Sequence, residues 1–369
     1  MSLPLPRGRI KERAEDFVVE ELPAYAPSGV GEHVFVRFTK TDRTTLDALR
    51  AITHALQCDA RAAGFAGMKD RRGRTTQTIS IHTPRGTTPQ DLALRAAALR
   101  LDGLEVHDAI PHGHKLKPGH LAGNRFVVTV RSIPADRAAG AAARLAEVAR
   151  EGVPNAFGAQ RFGMHGDNAE RARAWLRGEE RGPRDSRMQR LLWSSLQSEV
   201  FNAVLAARVA DGTWATPLEG DLLKRRQSGG LFVCSDVQTD RERAITGEVS
   251  PTGPIVGVRM RSPDGAPAEL EARIAAEILG SGIDLARTRS LGEGTRRALR
   301  VWVEDLRCED IEPASGDPGK GTVGMRVYFV LPKGAYATTV LATAFTIDES
   351  HGESGEREES EAPPDEGDA

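Results

Sequence analysis

The stretch "GFAGMKDRRGRTTQ", residues 64–77, surrounds one carboxylate, Asp70, with Lys69, Arg71, Arg72 and Arg74. Cations packed this densely suit a ligand rich in phosphates, and an acid among them repels that ligand. Asp70 therefore invites a second role. Cationic neighbours favour an ionised carboxylate, which can serve as a nucleophile or a base. The competing reading is an acid that closes a hairpin loop and pairs with its own neighbours. For a lone Asp in a basic loop, taken by itself, that reading is the commoner one. No second carboxylate lies close in sequence, so glycosidase-type acid pairs and DxD metal sites find no local support.

The histidines give a second candidate. "HGHKLKPGHLAGNRF" holds His112, His114 and His120, but the spacing matches no helix-face metal pair, and no acid or cysteine accompanies them. The segment reads better as a basic loop that contacts phosphates through Lys115 and Lys117, and no metal site is expected. No GxSxG elbow marks a serine nucleophile. No GxGxxG or P-loop pattern opens a helix, so no nucleotide cofactor is indicated.

The totals narrow the partner. The 369 residues suggest about two domains, and no apolar run approaches the roughly 20 residues that cross a bilayer. The N-terminus lacks the apolar stretch of a signal peptide. Cys58, Cys234 and Cys308 are odd in number and form no CxxC, which fits a reducing cytoplasm. The formal charge of −2 hides an asymmetry: residues 348–369 carry −9, leaving +7 on residues 1–347. A basic body implies a polyanionic partner. Arginines outnumber lysines 42 to 8, and guanidinium groups pair with phosphates and stack on bases, which suits RNA.

Positioning elements follow from periodicity. "DFVVEEL" (16–22), "HVFVRFTK" (33–40), "QTISIH" (77–82), "GLEVHDAI" and "NRFVVTVRSI" have strand composition. Leu46, Leu49, Ile52 and Leu56 fall at helical spacing behind a capping box of Thr44 and Asp47. Ala-rich 135–151 reads as a helix. The order mixes hairpins and crossovers, predicting an α+β domain with a mixed or largely antiparallel sheet. From "EGVPNAFGAQRFGMHGDN" (151–168) the texture changes. Helical pieces follow at 188–212 and 266–280, with an Arg-rich helix expected over 170–190. At "TVGMRVYFVLPKGAYATTVLATAF" (322–345) the earlier strand-then-helix style returns, which suggests one domain interrupted by another. The acidic tail is too poor in apolar residues to fold alone.

"GFAGMKDRRGRTTQ", "GNRFVVTVR", "GVPNAFGAQRFGMHGDN" and "LPKGAYATTVL" occur together in this order, after the opening "EDFVVEELPAYAPSGVGEHVFVRFTKTDRTT". The set resembles the TruD family of tRNA pseudouridine synthases, from about Lys11 to Leu341. The resemblance implies an isomerase that converts uridine 13 of tRNA to pseudouridine without metal or organic cofactor. It implies a pseudouridine synthase catalytic domain over 1–154 and 302–347, an α/β insertion domain over 155–301, and a disordered acidic tail over 348–369. The family's catalytic acid falls on Asp70. Its substrate-contacting positions fall on Phe17, Asn124, Phe126 and Tyr336, the last often Phe in the family. Lys69, Arg71, Arg72, Lys115 and Arg161 are expected at RNA phosphates, although Arg161 also suits a salt bridge at a domain junction. A monomer with tRNA as partner, no membrane and no nucleotide cofactor is expected. The alternative is a tRNA-binding or chaperone-like module that keeps the fold without turnover.

The opening pattern then acquires a reason. A base inside a helix is unreachable, so the nucleotide must be flipped out. The cations hold its phosphates and offset the repulsion of an ionised Asp70 brought near the sugar. Phe17, Phe126 and Tyr336 would sandwich the base, each ring contributing about 1–3 kcal/mol, while the Asn124 amide offers a donor and an acceptor to a uracil edge.

Overall fold

The computed structural model describes residues 4–311 and 321–349. The chain opens with β1 (Arg7–Ile10), β2 (Phe17–Pro23), β3 (His33–Thr41), α1 (Thr45–Leu56), β4 (Gly64–Phe65) and β5 (Arg74–His82). It continues through α2 (Pro89–Ala97), β6 (Leu104–His112), β7 (Leu121–Pro134) and α3 (Ala135–Glu151). A second stretch holds β8 (Val153–Pro154), α4 (Asn168–Leu176), α5 (Ser186–Ala210), β9 (Leu222–Arg225), β10 (Leu231–Val233) and α6 (Val237–Ile245). It also holds β11 (Val249–Ile255), α7 (Gly265–Leu279), β12 (Thr295–Ala298) and β13 (Arg300–Val301). The last described elements are β14 (Glu304–Ile311), β15 (Thr322–Pro332), α8 (Ala337–Leu341) and β16 (Thr346–Glu349). Two compact units result, one from residues up to Arg150 and from Val303 onward, the other spanning Glu151–Trp302 among the described residues.

The first unit is built on one sheet in the order β14-β15-β7-β2-β5-β3-β6, with β1 and β16 joined beside β7 and β4 beside β5. Strands β2 and β5 run parallel, as do β1 and β16, and the other pairings are antiparallel. The fold is therefore α+β with a mixed, mainly antiparallel sheet, as the order of elements predicts. Helix α1 starts where Thr44 accepts the Asp47 N–H at 3.1 Å, so the orphan donor at its first turn is satisfied. Leu49, Ile52 and Leu56 of α1 and Leu92 of α2 pack with Val34, Val36 and Phe38 of β3 and Ile79 and Ile81 of β5. Period 3.6 meets period 2 there, and the result is the core behind the Asp70 loop.

The second unit has helices α4 to α7, a four-stranded sheet ordered β10-β9-β11-β12, and the pair β13-β8. Leu192, Trp193, Leu196 and Val200 of α5 bury against Ala169 and Ala172 of α4.

Two expectations need correction. The helix over 170–190 is broken: α4 ends at Leu176, Gly178 takes φ +78°, and α5 restarts where Asp185 accepts from the Arg187 and Met188 N–H groups. Gly178, Gly182 and Pro183 oppose a continuous helix. The tail boundary also moves. Asp348 and Glu349 belong to β16, paired with Arg9 and Ile10 of β1, because a neighbouring strand supplies the backbone partners that acidic composition cannot. The rest of the expected disordered tail, residues 350–369, lies outside the described residues.

Candidate active site

Asp70 lies on the loop between β4 and β5, with its side chain about half exposed at 49%. The loop is tied down from the buried side. Gly73 N–H donates to Asp42 Oδ1 at 2.9 Å, and Asp42 N–H returns a bond to the Gly73 carbonyl at 3.1 Å. Gly73 has φ +116°, and a Cβ there would sit 2.4 Å from the Phe17 carbonyl oxygen. Only glycine meets both demands. Lys69 N–H donates to Thr45 Oγ1 at 3.0 Å, and Thr45 donates to Gln77 Oε1 at 3.1 Å. Lys40 Nζ donates to the Asp70 carbonyl at 2.5 Å.

Of the five cations expected at RNA phosphates, Lys69 is turned away from solvent. The Lys69 ammonium turns inward to Glu21 Oε2 at 2.7 Å, and both side chains are buried. A buried carboxylate needs a compensating charge, and Glu21 on β2 has it in Lys69. Arg71 is exposed and Arg72 half-buried. Lys115 is half-buried and donates to the Arg61 carbonyl at 3.3 Å. Arg161 lies in the second unit, where its Nε donates to Ser198 Oγ at 3.2 Å and its guanidinium sits 5.2 Å from the Phe157 ring centre.

Lys11 reaches the Asp70 carboxylate, with Nζ 3.7 Å from Oδ2. The same ammonium lies 4.5 Å from the centre of the Phe17 ring. Lys11 adopts φ +60°, a region that L residues enter at a cost and keep where surroundings demand it. Phe17 meets Phe126 edge-on at 6.2 Å, and Phe126 stacks on Phe329 at 5.2 Å. Both Phe17 and Phe126 are buried. They form a floor, not free stacking faces.

Asn124 on β7 pairs in register with Glu21 on one side and Leu331 of β15 on the other. The preceding Gly123 lets β15 approach, since a Cβ there would lie 2.3 Å from the Leu331 carbonyl oxygen. Asn124 Oδ1 is buried without a hydrogen-bond partner, an arrangement that calls for an explanation in a folded protein. Tyr336 caps α8 and keeps 38% of its surface exposed. It is the exposed ring of the three expected to hold a base.

A family model described as tRNA pseudouridine synthase D (TruD) matches residues 2–181 and 184–343. The chain belongs to the TruD family. A curated TruD relative from Anaeromyxobacter sp. (strain Fw109-5), named tRNA pseudouridine synthase D, is 43% identical over 92% of this chain and 93% of its own length. A Thermus thermophilus relative with the same name is 34% identical over 94% and 91%. Among solved structures, a Methanosarcina mazei chain described as a TruD candidate superposes with a TM-score of 0.74 at 23% identity, over 94% of this chain and 95% of that one. That likeness shows the shared TruD fold.

The histidine segment does not gather a metal-binding set; no cluster of His, Cys, Asp and Glu suited to a metal occurs among the described residues. His112 accepts the Ser28 N–H at Nδ1 (3.0 Å) and so carries its proton on Nε2, facing His114 Nε2 at 3.1 Å. Tyr25 stacks on His112 at 5.5 Å and hydrogen-bonds His120 Nδ1 at 2.7 Å. Burial, reinforced by His114, pushes His112 and His120 below the usual histidine range. No helix among the described residues is long and apolar enough to cross a membrane.

Sequence reasoning does not single out Lys11, Lys40, Glu21 or Asp42. Lys40 carries a signal: it follows Val34, Val36 and Phe38 at period two, where another apolar residue belongs. Lys11, Glu21 and Asp42 act through partners more than 25 residues away in the chain, and nothing local marks them.

Proposed function

We propose that this chain isomerises uridine 13 of tRNA to pseudouridine, with Asp70 as the carboxylate that acts on a flipped-out nucleotide. Family membership supports tRNA pseudouridine synthesis. The observation that carries the role of Asp70 is its geometry: an exposed carboxylate beside the Lys11 ammonium, on a loop whose backbone is fixed from beneath.

The reaction breaks N1–C1′, turns the uracil and joins C5 to C1′, and the proton lost from C5 is balanced by one taken up at N1. It is redox-neutral and calls for no metal or organic cofactor. Asp70 acts at the sugar, as a nucleophile at C1′ or as a base at C2′, and either route returns the carboxylate at the end. Lys11 offsets the repulsion between Asp70 and the entering phosphates. The unpartnered Asn124 Oδ1 offers an acceptor to the uracil N3–H. The Tyr336 face stacks on the base above the Phe17–Phe126 floor. Arg71, Arg72, Lys115 and Arg161 approach RNA phosphates. Phe17, Asp70, Asn124, Phe126 and Tyr336 all belong to one unit of one chain, which supports a monomer as the working form, and a tRNA substrate supports a cytoplasmic setting.

The test is pseudouridine mapping by mass spectrometry on unmodified tRNA incubated with the protein. A single new pseudouridine at position 13 is expected. Binding without any pseudouridine would favour the non-catalytic module, and modification elsewhere would overturn the site assignment.

A further inference from the structure

We propose that Lys40 is a positioning residue for the reaction: its buried ammonium holds the Asp70 peptide in place, so that the carboxylate meets the sugar in register. The inference rests on the reading of Asp70 as the reacting group.

Lys40 is fully buried at the end of an apolar stripe. Along β3, Val34, Val36, Phe38 and Lys40 share one face. Their partners on β5 are Ile81, Ile79, Gln77 and Thr75. The layer between sheet and α1 is thus apolar at one end and polar at the end beneath the Asp70 loop. Among the described residues the hydrogen-bond acceptor of Lys40 Nζ is the Asp70 carbonyl. The charged groups that act on it are the Asp70 carboxylate and the Lys69 ammonium on the loop, and Asp42 just after β3. Its strand neighbours are uncharged, Thr75 on β5 and Leu104 on β6. On α1, Thr45 is neutral, and Asp47 is exposed and bonded to Thr44.

No carboxylate pairs with Lys40 within 4.0 Å among the described residues, and burial pushes its pKa down to about 8. A position whose only task was packing would be more stable with an apolar residue. What the ammonium gains there is a grip on one atom, the carbonyl of the proposed reacting residue. Misplacing a reacting group by about 1 Å can slow chemistry roughly 100-fold. Strain and buried charge retained beside a reactive residue mark function over stability.

The experiment uses the full chain, its Lys40→Met variant and its Asp70→Asn variant with tRNA transcript. Single-turnover rate at saturating enzyme, tRNA affinity and melting temperature are measured. Lys40→Met is expected to lower the rate by roughly 10- to 100-fold with affinity held and melting temperature unchanged or raised. The wild-type rate is expected to fall as pH rises through about 8, and the residual rate of Lys40→Met to show no such fall. A variant rate equal to wild type, a rate loss matched by a lower melting temperature, or a retained pH limb would each overturn the proposal. Should Lys40→Met not fold, the wild-type profile decides, and a flat rate between about pH 7 and about pH 9 rejects it. An active Asp70→Asn would sink the reading of the site itself, whereas an inactive Asp70→Asn beside a fully active Lys40→Met sinks only the role of Lys40.

Discussion

Lys69 and Glu21 form a buried ion pair with 2.7 Å between Nζ and Oε2, one peptide bond from Asp70. Glu21 Oε1 also accepts the Thr78 N–H of β5 at 3.2 Å. The pair therefore ties the loop to β2 and to β5, so the cation beside Asp70 serves geometry. Removing one partner leaves a buried charge alone, which typically costs about 3–5 kcal/mol. Glu21→Gln is expected to lose stability on that scale in urea unfolding and to lose activity with it. A change below about 1 kcal/mol would place the pair among the weak surface type.

Lys40 gives a pH dependence with a definite sign. Its folded pKa of about 8 lies below the usual 10.5, so the unfolded chain binds this proton more tightly. Stability contributed at Lys40 is present above about 10.5 and is lost as pH falls through about 8. Comparing wild type with Lys40→Met isolates this one group. The stability difference in favour of the variant should be largest at neutral pH and shrink as pH rises from about 8 toward 10, by up to about 1.4 kcal/mol per pH unit. Denaturant midpoints at several pH values measure it, and parallel curves for the two proteins would contradict it.

The arginines near 170–190 separate into two groups. Arg173 pairs with Glu199 and Arg177 donates to the Leu279 carbonyl, whereas Arg171 and Arg187 are exposed. Replacing Arg171 and Arg187 with Ala is expected to weaken tRNA binding and reduce its salt dependence by about one unit of slope for each phosphate no longer neutralised. Replacing Arg173 and Arg177 should lower the melting temperature instead. Filter binding across a salt series distinguishes them, and an unchanged slope in the first pair would remove them from the RNA surface.

The acidic C-terminus offers a cut with two outcomes. Ending the chain after Glu349 removes acids that compete with phosphates for a basic body, so tRNA should bind as well or tighter, more visibly at low salt, with melting temperature unchanged. Ending it after Ile347 also removes the β16 residues paired with Arg9 and Ile10, and the melting temperature should drop. Equal melting temperatures for the two truncations would show that the end of β16 adds nothing.

Sequence legibility follows the range of the interactions. Strands β2 and β3 and helix α1 can be read because their patterns and the Thr44 cap are local. The break between α4 and α5 is hidden because helical composition on both sides outweighs Gly178 and Pro183. Asp70 stands out by its neighbours in sequence. Lys11, Glu21 and Asp42 do not, since their partners arrive from other strands and loops. Phe17 and Phe126 are expected to stack on a base, and the sheet that carries them buries both rings. Of the three rings, only Tyr336, at a helix start, keeps its face open.

The central claim is that the Asp70 carboxylate does the chemistry, and Asp70→Asn tests it most directly. The amide keeps volume and shape but cannot attack C1′ or take a proton from C2′. The Lys40 bond goes to the backbone carbonyl and is retained, so the variant should fold with its loop in place. Single-turnover formation of pseudouridine at position 13, measured at saturating enzyme, is expected to fall to background while tRNA affinity holds or rises, because a charge that repels phosphates is gone. Wild-type turnover by a folded Asp70→Asn would contradict the account.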